Sequence, residues 1–213
     1  MSDIFRLDRG AGLLLDAAGR RFDAVERQWH RESAPPGVAA LETVNVLDAV
    51  TWLQRASGEP VRVPIGVIGP RDASEAQLAA ALAVGELLAR CGLLVVCGGR
   101  QGVMQAVAEG VARNGGVTIG MLPDADPSYG NRHLTAVLAT GIGEARNALI
   151  ARAALCLVAI GDSYGTLSEV ALGRQFGKLV VGLEGAARVD GVVHVGTPQD
   201  AVEHVVRHVL RID

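Results

Sequence analysis

An α/β fold with a doubly wound, mostly parallel sheet and a small N-terminal extension is the architecture that this 213-residue sequence predicts. From residue 63 onward, short apolar runs alternate with segments of helical period, the pattern of strands joined by crossover helices. Four of the turns that follow those runs carry glycine. A composition of 49% hydrophobic and 3% aromatic residues suits one compact main domain, expected over 61–213, with an appendage over 1–60.

The elements follow in order. "VPIGVIG" (63–69) is the first strand, and "SEAQLAAALAVGELLARCG" is the helix that crosses back over the sheet. Ser74 and Gln77 form its capping box and Gly92 stops it. "LLVVC" (93–97) is a strand, followed by a glycine turn and a helix that ends at Asn114-Gly115, and "VTIGML" (117–122) is the next strand. "PDADPSYGNRHLT" is too rich in Pro, Asp and Gly for an element, and its length suggests a functional loop, a lid over 123–134. Then come a strand "AVLAT", a helix "GEARNALIARAA", a strand "LCLVAI", a helix "TLSEVALGRQF" and a strand "KLVVGL". "VDGVVHV" is a short strand or a hairpin turning at Asp190-Gly191. Thr197, Pro198 and Asp200 open the last helix with a cap, a first-turn proline and a first-turn acid.

The first 60 residues differ. "GLLLDAAGRRFD" has the pattern of a hairpin, "ESAPPG" breaks the chain, and "ETVNVLDAVTWLQR" has helical spacing. Such a piece is too small to keep a core of its own, so it is expected to pack on the main domain or on a second subunit.

A net charge of −3 does not recommend a polyanion as the main partner and argues against nucleic acid, a local basic patch being the open alternative. The first ten residues carry four charges where a signal peptide needs an apolar stretch, and no run approaches a membrane span. A cytoplasmic protein without membrane contact is expected. Cys91, Cys97 and Cys156 lack C-x-x-C spacing and are expected as reduced core residues.

In an open parallel sheet, ligands bind in the crevice at the carboxyl ends of the strands. Four turns converge there. "GPRD" supplies Gly69 and Arg71; "GGRQGVM" supplies Gly98, Gly99, Arg100, Gly102, Val103 and Met104; "TGIGEARN" supplies Arg146 and Asn147; "GDSYGTLSE" supplies Gly161, Tyr164, Gly165, Thr166 and Glu169. Amides at helix starts, exposed by glycine, make an anion site, because the first helical donors lack partners and the dipole favours negative charge. A phosphate-bearing ligand is therefore expected, against the plain alternative of glycine used for tight turns. The first turn, "IGPRDA", lacks the G-x-G-x-x-G dinucleotide fingerprint, and no Walker G-K-[ST] pattern occurs.

Arg146, in the first turn of its helix, opposes the helix dipole and calls for an anionic partner, either a ligand or a nearby acid such as Glu144 or Glu169. Arg71 and Arg100 either grip phosphate or are solvated. Glu169 is also explained as the end of a T-x-x-E capping box with Thr166. No metal site is expected: His204 and His208, at i, i+4, lack an acidic or cysteine partner nearby in sequence. His133 lies in the lid-like loop. Lys178, the one lysine, opens a strand at the sheet's amino edge, away from the crevice, which excludes a pyridoxal phosphate Schiff base and with it a lysine decarboxylase.

Taken together, "GGRQGVMQAV", "GIGEARNALI" and "GDSYGTLSEVA" resemble the SLOG superfamily of Rossmann-like proteins, most closely its molybdenum cofactor carrier branch, over about Val63 to Leu183. The resemblance implies a carrier for a phosphorylated pterin or nucleotide-like ligand, with the molybdenum cofactor as cargo, no other cofactor, and assembly as a homodimer or homotetramer. The LOG phosphoribohydrolases of the same superfamily cleave nucleoside 5′-monophosphates with an Arg-Lys pair and a P-G-G-x-G-T-x-x-E motif. This implies Arg146 and Glu169 as the catalytic pair of an enzymatic alternative, with Gly165 and Thr166 at the phosphate. Asn147 stands where those hydrolases have lysine, and "IGDSYGT" replaces their glycine turn, with Asp162 placing a carboxylate where glycine would welcome phosphate. A DNA-processing branch shares the fold, which makes DNA binding a third alternative.

Overall fold

The computed structural model describes residues 4–31 and 41–212; the break expected at "ESAPPG" lies outside them. The chain divides into two compact units, one taking in the residues up to Arg62 together with those from Val206 on, the other spanning Val63–Val205.

The first unit holds β1 (Phe5–Asp8), β2 (Leu13–Leu15), β3 (Arg20–Asp23), β4 (Gln28–Arg31) and β5 (Glu42–Val44) in one antiparallel sheet ordered β4-β3-β2-β1-β5. β2 and β3 make a hairpin whose turn is tied by Asp16, the side chain accepting from the amides of Ala18 and Arg20 at 2.9 and 2.8 Å. Residues 42–44 were expected to open a helix and instead form β5, because Thr43 and Val44 are β-branched and Asn45 is a natural cap. Helix α1 (Val46–Arg55) therefore starts after Asn45, whose side chain accepts from the Asp48 amide at 2.9 Å. Trp29 lies between Phe5 and Phe22, with ring centroids 5.8 and 5.0 Å away. Its indole donates to the carbonyl of Leu210 at 2.6 Å, while Arg27 donates to those of His208 and Val209.

The second unit is built on β6 (Ile65–Ile68), α2 (Glu75–Arg90), β7 (Val95–Cys97), α3 (Val103–Arg113), β8 (Thr118–Leu122), β9 (Ala136–Ala139), α4 (Asn147–Ala153), β10 (Leu157–Ile160), α5 (Tyr164–Gln175), β11 (Val180–Leu183) and β12 (Val193–His194). The seven strands are ordered β12-β11-β10-β6-β7-β8-β9 and every neighbouring pair is parallel. The open alternative at 189–195 thus resolves to a short strand beside β11. From β6 the chain steps outward to β9, then returns to β10 and steps the other way. Right-handed crossovers consequently place α2 and α3 on one face and α4 and α5 on the other. The last helix, α6 (Pro198–Val209), begins after Thr197, whose hydroxyl accepts from the Asp200 amide at 3.1 Å, and ends at the carbonyls held by Arg27 and Trp29. Among the described residues, no helix is long and apolar enough to cross a membrane.

Local sequence accounts for most boundaries. Ser74 and Gln77 form both halves of the capping box of α2. β6, β7, β10 and β11 are buried at every position, as apolar runs in a sheet covered on both faces must be. Cys91, Cys97 and Cys156 are buried and belong to no disulfide. The α2–α3 contact is unusually close. A Cβ on Gly110 would fall 2.1 Å from the Leu82 carbonyl oxygen, and one on Gly85 2.3 Å from that of Val107.

Helical glycine replaced by alanine ordinarily gains about 1 kcal/mol. Here the sign reverses, because Gly110→Ala forces two backbones apart, and a loss of about 1–3 kcal/mol is expected. A lower urea midpoint for this variant checks the point; a raised midpoint would show that the helices can separate freely.

Candidate functional site

The strand order reverses between β6 and β10, so the turns after these neighbours diverge to opposite faces and open a crevice at their carboxyl ends. A cavity of about 670 Å³ lies there. Its walls come from the turn after β6 (Gly69 to Asp72), the turn after β7 (Gly98 and Arg100, with Met104), the segment before α4 (Glu144 to Asn147) and the start of α5 (Asp162 to Glu169).

Arg146 and Glu169 meet at its base. Both are 6% exposed, and Nη1 of Arg146 donates to Oε1 of Glu169 at 3.3 Å. Gly98 makes room for them: a Cβ there would lie 2.7 Å from Nη1 of Arg146 and 2.6 Å from the Met104 sulfur. The Nε of Arg146 has no hydrogen-bond partner among the described residues. Burial is the largest influence on Glu169 and pushes its carboxyl up to about 7; Arg146 pulls the other way and Glu144 adds to the rise. Behind the pair, burial pushes the Cys97 thiol up to about 12, so this cysteine stays protonated and inert.

The α5 terminus differs from the expected T-x-x-E box. Ser163 is the cap, its hydroxyl accepting from the Thr166 amide at 3.1 Å and lying 2.9 Å from the Thr166 hydroxyl. Glu169 is one turn too deep to reach the cap and turns to Arg146 instead. The amides of Tyr164 and Gly165, the first two of α5, have no acceptor within the helix. Nothing stands within 3.4 Å of a Cβ built on Gly165. At α3 the corresponding mouth is partly closed, because the first amide, Val103, donates to the Pro70 carbonyl at 3.1 Å. Gly102 permits this approach: its φ is +68° and a Cβ would sit 2.2 Å from the Arg71 carbonyl oxygen.

Of the sequence-predicted residues, the structure brings Gly69, Arg71, Gly98, Arg100, Met104, Arg146, Asn147, Tyr164, Gly165, Thr166 and Glu169 together on the cavity wall. Gly99, Gly102, Val103 and Gly161 stand outside it. Val103 is fully buried, and Gly161 is covered by the Gln77 side chain. Arg100, on the wall and partly buried, grips Asp124, with Nε donating to Oδ2 at 3.0 Å, and this pairing holds Asp124 below its ordinary pKa. Arg71 is exposed and makes no hydrogen bond or ion pair with any described residue. The loop 123–134 does not border the cavity; Asn131 pins it by donating to the carbonyls of Gly99 and Arg100. His133 lies 3.9 Å from Glu109, away from the crevice.

Sequence reasoning left Ser163, Ser168 and Asp72 out of the wall. Ser163 carried a readable signal, an N-cap residue type directly before a helix. Ser168 matters through Asn147, whose Nδ2 donates to its hydroxyl at 2.8 Å. That contact joins α4 to α5, and no local pattern announces it.

The SLOG cluster4 family model matches residues 62–208, a span that includes every turn lining the cavity. An uncharacterized protein of Archaeoglobus fulgidus is 35% identical over 142 residues, covering 67% of this chain and 93% of that protein. Among solved structures, the molybdenum cofactor binding protein from the phototrophic bacterium Rippkaea orientalis is similar at a TM-score of 0.64 and 31% identity, over 68% of this chain and 96% of the other. The molybdenum cofactor carrier protein from Chlamydomonas reinhardtii gives 0.63 and 31%, over 69% and 98%. With its Rossmann-like sheet, its converging glycine turns and this match over most of its length, the chain belongs to the SLOG cluster4 family.

Proposed function

We propose that this chain binds and carries a small phosphorylated molecule of the pterin or nucleotide-like class, with the molybdenum cofactor as the candidate cargo. The observation that carries the reading is Arg146, a nearly buried guanidinium on the wall of the switch-point cavity whose carboxylate partner, Glu169, lies 3.3 Å away. The likeness to molybdenum cofactor binding and carrier proteins supports it. The phosphate rests against the open amides of Tyr164 and Gly165, with Arg71 and Arg146 balancing its charge. Binding of this kind requires no covalent step. The reading includes a cytoplasmic homo-oligomer without membrane or nucleic-acid partners.

One observation favours a second reading, phosphoribohydrolysis: Glu169 reaches the cavity beside Arg146. As a carboxylate it would stabilise the positive charge that grows on a ribose ring as its N-glycosidic bond breaks, while Arg146 aligns the substrate.

Glu169 ties anion binding to pH. Below about 7 its carboxyl is neutral and the charge of Arg146 is uncompensated; above that it ionises and competes with the guest anion. Sulfate, whose own charge is constant across this range, should therefore bind roughly threefold to tenfold more weakly at pH 8.5 than at pH 6. Glu169→Gln should flatten that profile at the tight-binding end, and Arg71→Ala should weaken binding at every pH. Titration calorimetry reads all three, and a sulfate affinity indifferent to both pH and Arg71 sinks the anion site.

Native mass spectrometry of freshly purified protein, followed by incubation with nucleoside monophosphates, separates the two readings. A co-purifying phosphorylated pterin or nucleotide and intact monophosphates are expected. Released base that disappears in Glu169→Gln would instead establish the hydrolase.

A further inference from the structure

A second cavity, of about 400 Å³, opens farther along the same sheet edge, at the carboxyl ends of β11 and β12. Asp162 lines both it and the first cavity. Its walls are polar: Asp162, Glu184, Arg188 and His194 make no side-chain hydrogen bond or ion pair with any described residue. The frame around these groups is nonetheless tied down. Glu184 takes a φ of +49°, and its carbonyl accepts from Nε2 of Gln77 at 3.2 Å, the side chain that also caps α2. A Cβ on Gly182 would fall 2.9 Å from Nδ1 of His194, so the bare backbone lets the imidazole lie on the strand. The Val195 amide donates to the Gly182 carbonyl at 3.0 Å and holds that register.

The chemistry of the two cavities differs. Arg71 and Arg146 suit the first to an anion, whereas Glu184 and His194 line only the second, and Asp162 on the border of the two can accept from hydroxyl and ring N–H donors. Asp162 lines both cavities, one residue past the glycine that follows β10. A carboxylate without a side-chain partner at such a border can accept from sugar hydroxyls.

We propose that the second cavity is the other half of one bipartite site and takes the sugar and heterocycle of a nucleoside 5′-phosphate-like ligand. The phosphate stays in the first cavity, Asp162 accepts from the sugar hydroxyls, and His194 and Arg188 face the heterocycle. This rests on the anion-binding reading above and narrows its ligand class.

Calorimetry on the full chain with sulfate, adenosine 5′-monophosphate and its 2′,3′-dideoxy form tests it. The ribonucleotide should bind about tenfold more tightly than the dideoxy form, the scale expected for hydroxyl bonds to a carboxylate. Asp162→Asn should narrow that gap, and His194→Ala with Arg188→Ala should weaken the ribonucleotide while leaving sulfate within about twofold. The ligand pair compared on the unaltered protein keeps the test independent of how any variant folds. Sulfate binding with equal affinity for both nucleotides, or with no nucleotide binding at all, overturns the bipartite site and leaves the anion site standing. Failure of sulfate as well removes the anion reading, and this inference with it.

Discussion

A guanidinium held out of water is the constraint on which the crevice depends. Arg146 is buried at the base of the cavity, and taking such a charge from water costs several kcal/mol unless bonds compensate it. Glu169 offers one bond, at 3.3 Å, and its carboxyl is pushed upward instead of being drawn down as in a tight ion pair. Desolvation outweighs the attraction of the arginine. The pair is thus an incomplete neutralisation, and the unpartnered Nε of Arg146 belongs to the same deficit. The bare Cα of Gly98 is what allows so large a cation to sit against the turn after β7, and Ser163 completes the wall by capping α5 so that the first amides of the helix remain free.

The topology determines where this charge can be useful. Because β6 and β10 are neighbours whose following turns diverge, their loops cannot cover one another, and the crevice persists without any special loop. The two helix mouths that face it are not equivalent. The amide that opens α3 is consumed by the Pro70 carbonyl, whereas that of Tyr164, the first of α5, has no acceptor within its helix. Of the two mouths, the α5 one keeps opening amides without a helical acceptor, on the same cavity wall as Arg146. Gly102 allows the α3 turn to pack against the turn after β6.

Much of the main sheet was legible from sequence because its determinants are local. Apolar runs, the Ser74–Gln77 box and the cap at Thr197 each involve residues within a few positions of one another. The crevice was legible as a region, since glycine turns after buried strands mark it. Its partnerships were less so. Thr166 and Glu169 have the spacing of a capping box, yet Ser163 takes the cap and leaves the glutamate to a tertiary partner 23 residues away. Arg100 was open to two readings, and neither foresaw Asp124, because an ion pair across 24 residues leaves no periodic trace. The five-stranded sheet of the first unit was compressed to a hairpin because strands of three or four residues show too few alternations to stand out. Glu184 hid the second cavity: a left-handed backbone is announced by glycine, and here a glutamate adopts it.

The same physics weighs between carrying and cleaving. Cleavage of an N-glycosidic bond needs a carboxylate that is charged when the ribose ring becomes positive. A glutamate whose carboxyl is lifted to about 7 is protonated for much of its time near neutrality, and in that form it donates a hydrogen bond instead of offering a charge. A protonated Glu169 beside Arg146 presents a phosphate oxygen with two kinds of donor and no repulsion. Asn147 acts in the same direction, since its amide is tied to Ser168 and brings no second cation that would draw the glutamate back to its ionised form. For the carrier proposed above, one buried cation beside a reluctant acid would grip an anion reversibly, and that balance suits delivery of an intact molecule better than its hydrolysis.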